Sequence, residues 1–215
     1  MQTSRIIRTL FILILFITIP SFTEEKNEKK YIQQVLLENF ESIKITNNFL
    51  RIQANTNYLP EIRMSKQFVS PNLISDTSLL IIIPIEGEGI PMDLIFPKPY
   101  IIEEYLIEFE FHIYSNQTNA DFFIYIQDTH FQKHQILVAH LNFDGWKSFK
   151  IPIGNKINQR DSIIGKPSFL KLTGIQINPT VKERKTKEDI IAIDDIFITK
   201  RKKYDLPQDG LDIFH

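Results

Sequence analysis

Residues Leu141 to Gln159 read LNFDGWKSFKIPIGNKINQ and hold the only tryptophan of the chain. Asp144-Gly145 is a turn pair, because glycine adopts the positive φ that a tight connection between strands requires. After it, Trp146, Phe149, Ile151 and Ile153 mix with Lys147, Ser148 and Lys150, and Pro152 marks an edge or a strand end. This spacing predicts a β-hairpin around Asp144-Gly145 in a β-rich domain.

The same period of two continues outward. Tyr105, Ile107, Phe109, Phe111 and Ile113 share one face of a strand, while Leu106, Glu108, Glu110, His112 and Tyr114 share the other. Phe122 to Ile126 is apolar on both faces and reads as an interior strand. Further strands are expected at Ser78–Ile85, His134–Phe143, Phe169–Asn178 and Ile190–Thr199, with a loop at Lys182–Asp189. Tyr31–Leu37 is amphipathic enough for a helical turn. Short strands between turn signals predict an all-β fold, a single-domain jelly-roll-like β-sandwich of two antiparallel sheets.

Composition narrows the function. Hydrophobic residues make up 43% of the 215, enough for an ordinary core. A net charge of −1 supplies no basic footprint for nucleic acid. No cysteine is present, which excludes disulfides, thiolate metal sites and cysteine nucleophiles. Arg5 and Arg8 precede the apolar run Leu10–Ile19, which is closed by Pro20 and is short for a membrane span. Residues 1–23 therefore read as a secretory signal peptide, residues 24–34 as a mobile mature N-terminus, 35–200 as the sandwich and 201–215 as a polar tail. After signal cleavage no membrane segment is expected.

The string Leu-Asn-Phe-x-Gly-Trp-Lys from Leu141, then Ile151-Pro152 and Ile157-x-Gln159, resembles the FlaA family. These are the outer-layer (sheath) proteins of spirochaete periplasmic flagellar filaments. Val35-Leu36-Leu37-Glu38-Asn39-Phe40-Glu41 is similar to the opening of mature members, and Ile191-Ala192-Ile193-Asp194-Asp195-Ile196 to their final strand. The resemblance implies a non-enzymatic periplasmic subunit whose partners are the flagellin core and other sheath proteins, contributing to filament stiffness, curvature and motility. The alternative is a secreted carbohydrate-binding module on the same sandwich, with Tyr105, Tyr114, Tyr125 and Trp146 as candidate platform rings.

Candidate site residues follow. A ring as large as that of Trp146 usually packs inward after a turn, or it anchors a partner. Phe96 and Tyr100, in the segment Phe96-Pro97-Lys98-Pro99-Tyr100, are candidate partner contacts, as is Phe214 in the apolar C-terminal segment. Glu108 and Glu110 lie on one strand face, so they read as an acidic stripe that would meet a basic patch such as Lys200–Lys203. They do not read as an opposed acid–base pair. Asp194 and Asp195 are strand neighbours, so one carboxylate must face the buried side and find a partner there. That partner is either a structural Ca²⁺ shared with Glu41 or a set of hydrogen-bond donors. No other cofactor is expected. His130 and His134 have helical metal-site spacing within a segment that reads as a turn, which favours separate histidines.

Overall fold

The computed structural model describes residues 32–52, 59–71, 75–84, 89–161, 168–179 and 188–203. Strands run in the order β1 (Ile32–Glu38), β2 (Leu50–Ile52), β3 (Glu61–Ser65), β4 (Ser78–Pro84), β5 (Met92–Ile102) and β6 (Tyr105–Asn116). They continue as β7 (Asp121–Gln127), β8 (Lys133–His140), β9 (Asp144–Pro152), β10 (Leu170–Asn178) and β11 (Glu188–Arg201). A six-stranded sheet has the order β3-β4-β11-β6-β9, with β1 also paired to β11; a five-stranded sheet has the order β2-β5-β10-β7-β8. The fold is all-β, a jelly-roll-like sandwich of two antiparallel sheets.

Alternation builds the core. Phe109, Phe111 and Ile113 of β6 and Phe122, Ile124 and Ile126 of β7 are fully buried between the sheets. The Phe111 and Phe122 rings meet edge to face across them at 6.0 Å.

Four local expectations change. The Asp144-Gly145 pair does not close a hairpin, because β8 and β9 are edge strands of different sheets. Leu141–Phe143 carries the chain across, with Leu141 and Phe143 buried, and Gly145 takes its positive φ of 91° inside the first residues of β9. Along β6 the face assignment fails at its start. Leu106 pairs with Lys200 and Glu108 with Thr199, so Ile107 is an extra residue. This bulge turns Leu106 inward to full burial and leaves Tyr105 and Ile107 half-buried. Ile32–Glu38 is a strand paired to β11 and not a helical turn, so regular structure begins before residue 35. Glu188 and Asp189, read as loop, open β11.

Strand β5 was missed in the sequence because of its prolines. Pro97 and Pro99 lack an N–H, and the pairing with β10 jumps there from Ile95↔Gly174 to Tyr100↔Leu172. Among the described residues no helix is long and apolar enough to cross a membrane. The signal peptide and the Tyr204–His215 segment, with Phe214, lie outside the described residues.

Candidate functional site

The inner faces of both sheets are apolar, so recognition must use an outer face, an edge or an end. On the outer face of the five-stranded sheet, register lines up a polar and aromatic row. Arg51 faces Asp93, Asp93 faces Gln176, Gln176 faces Phe123 and Phe123 faces Leu137. One pleat along, Tyr125 lies beside Gly174 and Gln135. Alternation explains the placement: Met92 and Leu94 point inward around Asp93, as Ile175 and Ile177 do around Gln176.

These polar groups are linked. Asp93 Oδ1 accepts from the Tyr125 hydroxyl at 2.7 Å and from Gln176 Nε2 at 2.8 Å. Gln135 Nε2 donates to Gln176 Oε1 at 2.5 Å. Burial, then the hydrogen bond to Asp93 and its negative charge, push the Tyr125 hydroxyl well above its ordinary range. It stays a protonated donor, its orientation set by Asp93. The half-buried Tyr125 and Phe123 rings and the exposed Leu137 flank this network. This surface sets apolar ring area beside fixed carboxamide and carboxylate groups, an arrangement able to meet C–H faces and hydroxyl edges together. Gly174 is required here, because a Cβ would stand 2.4 Å from the Leu94 carbonyl oxygen.

The opposite outer face holds a different set. Trp146 is half-buried and is not a core residue; its ring meets Tyr114 at 5.9 Å, and Phe68 also meets Tyr114, at 5.0 Å. Glu110 accepts from Ser148 Oγ at 2.6 Å and from Gln34 Nε2 at 2.8 Å, with Lys150 at 3.5 Å. Burial raises its pKa, but the Ser148 hydrogen bond and the charges of Lys150 and His112 outweigh that and hold it below its ordinary value. Glu108 is half-buried on the same strand, paired to Thr199 and Pro152 in the ladder.

No family model matches the chain, and a search of curated proteins returns no match. Solved structures with a similar fold include the family 11 carbohydrate-binding module of cellulase Lic26A-Cel5E from Clostridium thermocellum. It is 11% identical, with a TM-score of 0.44 over 81% of this chain and 98% of that one. The module TmCBM61, solved with β-1,4-galactotriose, is 11% identical, with a TM-score of 0.44 over 77% of this chain and 99% of that one. An exo-β-agarase structure gives 10% identity and a TM-score of 0.47 over 81% of this chain and 26% of that one. These likenesses concern the fold.

Of the expected contact residues, Phe96 is corrected. It is only 3% exposed, packed in the core against the Tyr100 ring at 5.2 Å, and offers no surface to a partner. Tyr100 is half-buried, and its hydroxyl donates to Glu38 Oε2 at 2.6 Å.

Asp194 and Asp195 are both fully buried, where strand alternation predicted one. The reason is a bulge: pairing jumps from Asp194↔His112 to Phe197↔Glu110, and Asp195 takes a φ of +44°. The Ser75 hydroxyl lies 2.8 Å from Asp194 Oδ1 and 2.7 Å from Asp195 Oδ1, so two carboxylates share one donor. Asp194 also accepts from the Asp195 N–H at 2.9 Å and the Ser70 N–H at 3.1 Å. Burial, with the charge of Asp195 adding to it, pushes the Asp194 carboxyl up to about 6 despite these donors. Asp195 Oδ2 has no hydrogen-bond partner among the described residues.

Glu41 does not join the pair directly. Its Oε1 accepts the N–H groups of Asp76 at 2.5 Å and Thr77 at 2.7 Å, which pins the entry to β4. Among the described residues no three His, Asp or Glu side chains gather to hold a metal. What fits a hard cation is the buried carboxylate pair with its orphaned oxygen. His134 is tied to Asp128 at 2.9 Å across the β7–β8 turn, apart from His130, whose Nδ1 lies near Thr129 Oγ1.

The sequence reading named Tyr125 as a platform ring but missed Asp93, Gln135 and Gln176. Asp93 and Gln176 each stand as a lone polar residue between two inward-facing aliphatics, whereas Gln135, between His134 and Ile136, carries no such signal.

Proposed function

We propose that the chain is a non-catalytic recognition protein that binds a neutral saccharide across the outer face of its five-stranded sheet. The observation that carries this reading is the Asp93 carboxylate holding both the Tyr125 hydroxyl and the Gln176 amide, with Gln135 linked behind them. Hydrogen bonds fix the polar groups before a ligand arrives, so little side-chain entropy is lost on binding. The Tyr125 and Phe123 rings supply the apolar contact. Titration calorimetry of the purified protein against soluble neutral oligosaccharides tests this. Binding to a member of the panel, weakened about tenfold or more in Tyr125→Ala and Asp93→Ala, is the expected result. Absence of binding across the panel, or binding unaltered in both variants, refutes it.

A second reading rests on a separate observation. The block that carries the FlaA resemblance contains β9, which among the described residues pairs only with β6 and borders the half-buried Trp146–Tyr114–Phe68 cluster. An edge strand beside an aromatic cluster suits lateral association. On this reading the exported chain is a periplasmic sheath subunit contacting the flagellin core and neighbouring sheath proteins. Mass spectrometry of isolated periplasmic filaments decides: recovery in stoichiometric ratio to flagellin supports it, and absence from washed filaments refutes it. On either reading, a calcium ion at Asp194 and Asp195 would act as a structural clamp between β11 and the residues Ser70 and Ser75 that bond to the pair.

A further inference from the structure

One end of the sandwich carries a basic groove that neither reading uses. The β11–β6 ladder places Arg201 opposite Tyr105, and the Arg201 guanidinium lies over the Tyr105 ring at 4.4 Å. After β9 a 3₁₀ turn, Gly154–Lys156, brings Asn155 to the same place, where its Oδ1 accepts from the Tyr105 hydroxyl at 3.1 Å. Gln159 anchors the groove floor. Only 3% exposed, it donates to the Leu106 and Gly154 carbonyls and accepts the Leu106 N–H, each at 2.8 Å. Arg160 follows directly.

Tyr105, Asn155, Gln159, Arg160, Arg201 and the Asp161–Lys203 pair line a cavity of about 480 Å³, within the range of small-ligand pockets. Its charge is unbalanced. Lys203 Nζ lies 2.5 Å from Asp161 Oδ1 and is largely neutralised by it. Among the described residues neither Arg160 nor Arg201 is paired with a carboxylate, so two guanidinium forks remain. Forks of this geometry match a planar oxyanion. The Asp161–Lys203 pair on the wall is close to neutral, so the anion falls to the two arginines, while Asn155 and the Tyr105 hydroxyl offer partners to neutral hydroxyl groups.

We propose that this end groove is a second binding site, and that it takes a carboxylate-bearing saccharide such as a uronic acid unit through Arg160 and Arg201. It stands on residues separate from the sheet face and does not rest on that reading.

The test is titration calorimetry of the full mature chain with a uronic acid trisaccharide, its neutral counterpart and a sugar phosphate, at low and raised salt. The expected result is binding of the uronate, at least about tenfold weaker for the neutral sugar; a sugar phosphate that binds as tightly or more tightly would assign the arginines to a phosphate and overturn the uronate assignment. Arg160→Ala and Arg201→Ala should each weaken it about tenfold or more, Arg201→Lys less, with salt weakening it further. Thermal melts of each variant confirm that the fold is kept. No uronate binding, equal affinity for either of the other two probes, or affinity unchanged in both arginine variants overturns the proposal. Tyr125→Ala separates the two sites: it leaves uronate affinity unchanged if the ligand sits in the groove. Loss of uronate binding in Tyr125→Ala alone would place the ligand on the sheet face and overturn the groove assignment.

Discussion

Replacing Asp194 with Asn should abolish a pH dependence of stability that the wild-type chain shows between about pH 4 and 7. In the folded protein the carboxyl is buried beside Asp195 and titrates near 6, against 3.8 for an unperturbed aspartate. Between those values the folded state holds a proton that the unfolded state has released. Unfolding therefore becomes easier as pH rises through this window, and stability is greatest at its acid end. The displacement corresponds to about 2 kcal/mol of stability lost on going from pH 4 to pH 7, to within a factor of two. In a domain of this size that amounts to a fall in Tm of roughly 4–8 °C. Thermal melts in chelator, at half-unit pH steps, measure it. Asp194→Asn should start less stable at pH 4, because an amide N–H₂ would meet the Ser70 N–H that now donates to Oδ2. Its melting temperature should then stay nearly level up to pH 7. A wild-type Tm that is level or rising from pH 4.5 to 7, or an unaltered slope in Asp194→Asn, refutes the reasoning.

At pH 7 millimolar calcium should raise the wild-type Tm and leave Asp195→Asn unmoved, because the ion would use the orphaned Asp195 Oδ2; equal melts with calcium and chelator would show that hydrogen bonds alone serve the pair. Gly174→Ala should destabilise by about 2 kcal/mol or more, since its Cβ would press on the Leu94 carbonyl 2.4 Å away, and a urea midpoint equal to wild type counts against the register described. Gln159→Ala strands the buried Leu106 backbone groups and should cost about 2–3 kcal/mol by urea denaturation, far more than an exposed glutamine would. Below pH 4 the sign reverses at Asp128. Burial raises its pKa, but hydrogen bonds from His134 and the Gln132 and His130 amides hold it below the ordinary range. Stability from Asp128 is therefore present above pH 4 and lost as pH falls through its folded value, a loss that acid titration of Asp128→Asn should lack.

The sequence by itself determined the class of fold and most of its inward faces. Period-two alternation at Phe109–Ile113, and the Leu and Ile runs at Ser78–Pro84 and Ile190–Ile193, admit little but stacked strands, because burying apolar side chains is the dominant favourable term. It also showed that one of Asp194 and Asp195 must be buried and find a partner. Only the tertiary structure decided which strands pair. Asp144-Gly145 has the chemistry of a hairpin, yet β8 and β9 part to different sheets because each completes a different ladder. Bulges had the same effect, since one extra residue reverses every face beyond it. Ile107 turned Leu106 inward, and the bulge at Asp195 buried both aspartates. The candidate sites were the least legible part. Asp93, Gln176 and Gln135 lie on three strands, Tyr105 and Arg201 on two others, and register between distant segments brings each set together. Local sequence dictates which way a side chain points along its own strand; only pairing across the sheet dictates what stands beside it.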